Sequence, residues 1–339
     1  MAKMTLYASD QAHSSVEKAA NVAGLGLHFR KVPSREGEES SSHANSMDVD
    51  KLASCMEEDR AKGLTPVFVC ATVGTTSSCA VDPVRDIAEV CKTSKGKPQH
   101  EGAVASAGEN TDTFVPWFHI DAAYAGAAAL CEEYRWILDG VEHADSFLFS
   151  PHKWLLVNAD CAAMWVRHKA DFTMGLTMNP EYLKYEEYER GEVTDFKDWQ
   201  LSVSRRFRSL KLWITLRAYG LERIRELLRR HIQLAQELAS LIRKDVRFEI
   251  VAPVQFGLVC FRLKGSDAAN LELRSIVNSS GRALFSYTKI RGRVVLRICV
   301  GGIQTQMQDI REVWKALEQT ADSMDDITKN KDGKGTSKG

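Results

Sequence analysis

The segment "DSFLFSPHKWLLV", residues 145–157, places one lysine, Lys153, between two apolar runs. An ammonium drawn into a protein interior is costly. Such a lysine therefore lays its stem along the surface with its head in water, pairs with a carboxylate, or takes part in chemistry. The run "SFLFS" reads as a short strand, and similar runs recur upstream: "MTLYAS" at 4–9, "LHFRKVP" at 27–33, "TPVFVCATVGTT" at 65–76 and "WFHID" at 117–121. Helical patterns lie between them, one starting at Ser14, where Ser14 and Glu17 have capping-box spacing and Gly24 offers a stop. Others are expected over Asp48–Ala61, over Asp82–Lys92 and after "WFHID". Short apolar strands alternating with helices predict an α/β fold with a mostly parallel sheet covered on both faces.

Downstream the pattern changes. From about Leu210 a long amphipathic helix containing "RIRELLRRHIQLAQELASLIRK" leads into strands "RFEIVA" and "FGLVCFRLKG", a short helix, the strand "VVLRICV" and a last helix near Gln306–Ala321. That predicts a large domain over 1–209 and a small C-terminal α+β domain over 210–325. Residues 93–115 are polar and without period, as in an inserted surface loop, and the tail 326–339 has the composition of a disordered segment.

Charge and cysteine usage narrow the function classes. The 339 residues carry 45 basic and 45 acidic side chains, which removes any global electrostatic case for nucleic acid or an anionic membrane. Eight cysteines lie scattered without a CxxC pair or a metal-ligand pattern, mostly beside apolar residues, as expected of reduced thiols in a cytoplasmic protein. No apolar run is long enough to span a bilayer.

In a parallel sheet, functional groups gather beyond the carboxyl ends of the strands. His13, Thr75 with Thr76, Asp121 and Lys153 all fall at such ends. Together they suit an aldehyde cofactor with a pyridine ring, because an amine captures the aldehyde, a carboxylate keeps the ring nitrogen protonated and an imidazole stacks on the ring. Ser150 and His152 beside the lysine are candidate phosphate ligands. Each residue also has an ordinary structural reading: Asp121 as a cap, His13 as a core histidine, Thr76 as a turn former.

The segments "DQAHSS", "ATVGTTSSCAVDP", "HIDAAYAG", "SPHKWLLVNADCAAMWV", "NPEYLK", "DFKDWQLSVSRRFRSLKLW" and "FGLVCFRLKG" closely resemble the group II pyridoxal-phosphate decarboxylases, specifically the aromatic L-amino acid decarboxylase family. The resemblance implies a fold type I large domain, pyridoxal 5'-phosphate as cofactor, a homodimer, and conversion of an aromatic L-amino acid to its amine and CO2. It implies Lys153 as the Schiff-base lysine, Asp121 as partner of the pyridine nitrogen, and His13 and Ala123 on the two ring faces. Thr76 matches the family's active-site threonine, and Ser150 and His152 its phosphate contacts, although the family more often has asparagine at the position of Ser150. Tyr182, on the expected mobile loop 174–195, matches the tyrosine that protonates the substrate carbon. Related plant-type aldehyde synthases carry phenylalanine there, which has no proton to give.

Ser204 matches a position that is serine in phenol-preferring members and glycine in indole-preferring ones, so tyrosine or dopa is expected over tryptophan. The family also has an N-terminal part with no counterpart before "MTLYAS", so a truncated form with weak cofactor binding is expected. Two alternatives accompany the decarboxylase: an aromatic aldehyde synthase, and an impaired homologue that associates with a full-length partner.

Overall fold

The computed structural model describes residues 3–37, 39, 41, 43–93, 115–178 and 180–333. The lysine-bearing segment opens with β5 of a six-stranded sheet. The strands are β1 (Met4–Ser9), β2 (Phe29–Val32), β3 (Thr65–Thr72), β4 (Trp117–Asp121), β5 (Ser146–Phe149) and β6 (Ala163–Val166), in the order β2-β1-β3-β4-β5-β6. The first five are parallel and β6 runs antiparallel to β5. The connecting helices are α1 (Ser14–Val22), α2 (Val49–Ala61) and α3 (Val84–Thr93).

Period-two alternation decides what the sheet faces do. In β4, Phe118 and Ile120 point into the core, whereas Trp117, His119 and Asp121 on the other face are only half-buried. The core face packs against α2 and α3. The expectation of a sheet covered on both faces therefore needs correction: on the second face Leu6, Phe68, His119 and Leu148 floor an open cleft walled by α1.

Three local readings also change. The cap of α1 is His13, whose side chain accepts from Ser15 N, while Glu17 turns outward to pair with Lys31 Nζ at 2.8 Å. The stretch after β4 forms short 3-10 turns, Ala125–Leu130, Glu132–Leu138 and Val141–His143, in place of an α-helix. The strand β6 has no clear signal in "AMWV", four residues of mixed exposure.

After β5 come α4 (Pro151–Trp154), then β6, α5 (Lys169–Thr173), α6 (Glu186–Glu189) and α7 (Arg208–Tyr219). Gly220, at φ +73°, separates α7 from α8 (Leu221–Lys244). A second sheet of β7 (Phe248–Ile250), β8 (Leu258–Leu263), β9 (Ser286–Ile290) and β10 (Arg293–Cys299) is antiparallel, in the order β7-β8-β10-β9. It packs with α8, α9 (Asp267–Ser279) and α10 (Met307–Gly333). The helix α10 continues past residue 325 to Gly333, which corrects the expectation of disorder from 326 onward; residues 334–339, like 94–114 of the expected inserted loop, lie outside the described residues.

Two apolar cores form, the first shared between the six-stranded sheet and Leu258, Cys260 and Val295 on one face of the second sheet, the other on that sheet's opposite face with Val259, Phe261 and Leu296, and α8 serves both. Ile224, Leu228 and Ile232 bury in the first core, and Leu234, Leu238 and Ile242 in the second. Full burial of each such side chain contributes roughly 1.5–3 kcal/mol.

Candidate active site

The parallel strands deliver their successors to one edge. Beyond β1 comes His13, at the end of β4 Asp121, and beyond β5 Ser150 and Lys153. All of them, with Ala123, line a single cleft of about 590 Å³ whose walls are otherwise mostly apolar.

Each side chain presents one defined face. His13 Nδ1 accepts from Ser15 N at 3.2 Å and lies 2.8 Å from Ser15 Oγ, and its Nε2 has no hydrogen-bond partner among the described residues. Asp121 Oδ1 accepts from Ala123 N at 3.0 Å. The cap reading of Asp121 thus holds for one oxygen, while Oδ2 has no hydrogen-bond partner among the described residues. Ser150 is 5% exposed, precedes α4 as its cap residue without making a side-chain cap bond, and its hydroxyl belongs to the cleft lining. Lys153 is exposed to the cleft, and its ammonium has no hydrogen-bond or ion-pair partner among the described residues.

The turn after β3 is rigid for reasons internal to it. Asp82, fully buried, accepts from Thr72 N at 2.7 Å and Met47 N at 2.6 Å, and burial pushes its carboxyl up to about 7. Thr75 Oγ1 accepts from Ala80 N at 3.0 Å and so shapes the turn, whereas Thr76 is exposed and does not line the cleft. Gly74 has φ +84°, and a Cβ there would lie 2.6 Å from Ala125 Cβ, so only glycine lets this turn approach the one after β4.

Three other predicted residues are not brought to the cleft. His152 Nδ1 lies 2.6 Å from Cys161 O and is used in holding the chain after α4. Tyr182 is 85% exposed on the 3-10 turn Glu181–Leu183, and Ser204 is exposed. One cleft residue received no role from the sequence. His119, in the same motif as Asp121, stacks on Phe68 at 6.0 Å, with Nδ1 2.7 Å from Ser146 Oγ, and burial lowers its pKa. Its alternation with Asp121 along β4 was the available signal.

A primary amine, a carboxylate with a free oxygen, a flat imidazole and a buried hydroxyl around an apolar cleft fit a pyridine-ring aldehyde with an anionic arm. Of the two predicted phosphate contacts, Ser150 and His152, Ser150 alone lines this cleft. Elsewhere all eight cysteines are free thiols, and no helix among the described residues is long and apolar enough to cross a membrane.

Comparison with known proteins agrees with this chemistry. Residues 1–264 match the pyridoxal-dependent decarboxylase conserved domain. The chain is 42% identical over 325 residues to an aromatic-L-amino-acid decarboxylase of Mus musculus, covering 96% of this chain and 62% of that protein. It is 41% identical over 326 residues to a phenylacetaldehyde synthase of Arabidopsis thaliana, covering 94% and 62%. A crystal structure of Oryza sativa TDC with PLP and tryptamine superposes with a TM-score of 0.84 at 39% identity, over 95% of this chain and 63% of that one. The chain thus spans about 62% of the length of the curated relatives it matches.

Proposed function

The chain belongs to the pyridoxal-dependent decarboxylase family, and on that premise we propose that it is a carboxy-lyase that uses pyridoxal 5'-phosphate to convert an aromatic L-amino acid to its amine and CO2. The observation that carries this reading is the meeting of Lys153, Asp121, His13, Ala123 and Ser150 at one cleft. When bound, the cofactor supplies an aldehyde for the amine and a ring that accepts the electrons released with CO2.

The protein's own residues divide the remaining work. Lys153 Nζ would hold the cofactor through its aldehyde carbon. Asp121 Oδ2 would accept from the protonated ring nitrogen and so favour the cationic ring. His13 would hold one ring face and Ala123 the other, and Ser150 Oγ would donate to the phosphate, with His152 as the further phosphate contact and Thr76 as the active-site threonine that the resemblance implies. Once the loop covers the open cleft, its apolar walls would exclude water from the reacting carbon.

Tyr182 supplies the last proton. Its phenol has a proton to give and would donate it to Cα once the loop covers the cleft. A phenylalanine could not, so Tyr182 favours amine over aldehyde as product. Ser204, exposed outside the cleft, would favour tyrosine or dopa over tryptophan by adding bulk and a hydroxyl to the pocket once its segment closes on the cleft. The enzyme would act as a homodimer, as the resemblance implies, and in the cytoplasm, a reading supported by its scattered free cysteines.

The test is direct. Pyridoxal phosphate added to the purified chain should produce a visible absorbance band that Lys153→Ala removes, and tyrosine, dopa or tryptophan should then yield amine without peroxide. A folded chain with no such band would refute the assignment, and aldehyde with peroxide in place of amine would convert it to an aldehyde synthase.

A further inference from the structure

The lysine stands on a very short helix. Only Pro151–Trp154 is helical, with Lys153 N bonded to Ser150 O and Leu155 N to Pro151 O, both at 2.9 Å. A single turn does not hold itself in water, so the direction of Lys153 is set by whatever anchors its neighbours.

The anchor is Trp154, 2% exposed and adjacent to Lys153. Its indole stacks on Tyr124 at 4.9 Å and lies side by side with the His231 ring at 6.5 Å, both pairs at 12° between planes, with Phe256 against its edge at 6.4 Å. The indole Nε1–H donates to His231 Nδ1 at 3.0 Å. With Nδ1 accepting, the imidazole proton sits on Nε2, which donates to Gly302 O at 2.9 Å. His231 is fully buried on α8, where the two cores meet, and both of its nitrogens are satisfied in the neutral form.

The packing allows no slack around this group. A Cβ at Gly257 would lie 2.7 Å from Tyr124 Oη and 3.4 Å from Trp154 Cζ2. Tyr124 in turn directly follows Ala123, which lines the cleft beside Lys153.

We propose that His231 is a positioning residue for Lys153: through the Trp154 indole it fixes the roll of α4, so the second unit of the protein sets the aim of the amine in the first. The inference rests on the cofactor assignment above, since an amine needs aiming only if it must meet a fixed aldehyde carbon. Losing the indole's acceptor leaves a buried N–H unsatisfied and frees the one-turn helix to rotate.

The experiment separates the two bonds of the imidazole. Asparagine at 231 keeps an acceptor near the place of Nδ1, while glutamine reaches instead towards Gly302. Wild type, His231→Asn, His231→Gln, His231→Ala and Trp154→Phe are compared for circular dichroism and melting temperature, then titrated with pyridoxal phosphate while the Lys153-dependent visible band is followed. His231→Asn should bind within about twofold of wild type, and the Gln, Ala and Phe variants roughly tenfold more weakly. The Trp154→Phe/His231→Ala double variant should be no weaker than either single, because both break the same link.

Equal binding by all folded variants would overturn the inference, as would a glutamine variant that binds normally beside an asparagine variant that does not. Should the alanine variant fail to fold, the Asn and Gln pair decides. A wild type without the band overturns the cofactor assignment and this inference together, whereas a normal band in wild type and in His231→Gln overturns this inference alone.

Discussion

The sheet edge that carries Asp121 and Lys153 and the segment that carries Tyr182 and Ser204 are held in opposite ways. At the edge, each group follows a strand bonded to its neighbours in register, as Thr72 with Asp121 and Asp121 with Leu148. In the segment the elements are single turns, Glu181–Leu183, Glu186–Glu189 and Phe196–Trp199, bonded mainly to themselves. Its firmest point is Lys197, 4.0 Å from the centre of the Tyr188 ring and within 3.4 Å of carboxylate oxygens of both Asp195 and Asp198. On the proposed function the difference divides labour: groups that would hold a rigid molecule come from the sheet, and the group that would act at one moment of a cycle comes from a segment of single turns.

That contrast can be broken by mutation. Lys153→Ala should have the largest effect, complete loss of the cofactor's visible band, because no other described amine lines the cleft. Tyr182→Phe should leave the band intact and cut amine release by roughly a hundredfold, with aldehyde and peroxide appearing instead. A Tyr182→Phe variant that lost the band would show that the segment helps to hold the cofactor, and the contrast would fail.

A third prediction probes the edge itself. Burial raises the Asp82 carboxyl from 3.8 to about 7, so the unfolded chain releases this proton first. The stability tied to Asp82 is therefore whole below pH 3.8 and falls as the pH rises towards 7. Asp82→Asn cannot titrate and loses one of the two backbone bonds, to Thr72 N or Met47 N. It should melt roughly 2–4 °C lower, with the gap from wild type narrowing between pH 4 and pH 7. A gap that widens over that range would disprove the sign. The smallest effect is expected at Ser204→Gly, a shift of up to roughly tenfold in the tyrosine-to-tryptophan ratio without any change in the band, read from kcat/KM for each amino acid.

How far these regions were legible in the sequence follows from the range of the forces involved. The strands ending at Ser9, Thr72, Asp121 and Phe149 are short apolar runs, and the order of secondary structure alone puts their successors on one edge. His13 as a cap was not visible, because capping-box spacing pointed to Ser14 and the choice between adjacent residues depends on backbone angles. β6 was missed because its pairing with β5 comes from outside the strand, and four residues carry little period of their own. The bond from Trp154 to His231 joins residues 77 apart, beyond any local pattern. The placement of Tyr182 was read from resemblance, since an exposed polar segment has no burial to reveal it.

The helix α8 has a consequence for how the molecule comes apart. Its first half is a strut of one core and its second half a strut of the other, with no loop between in which a fracture could start. Heating should therefore melt both units in one calorimetric peak, and a chimera that exchanged the second unit at Gly220 would inherit half of a foreign first core.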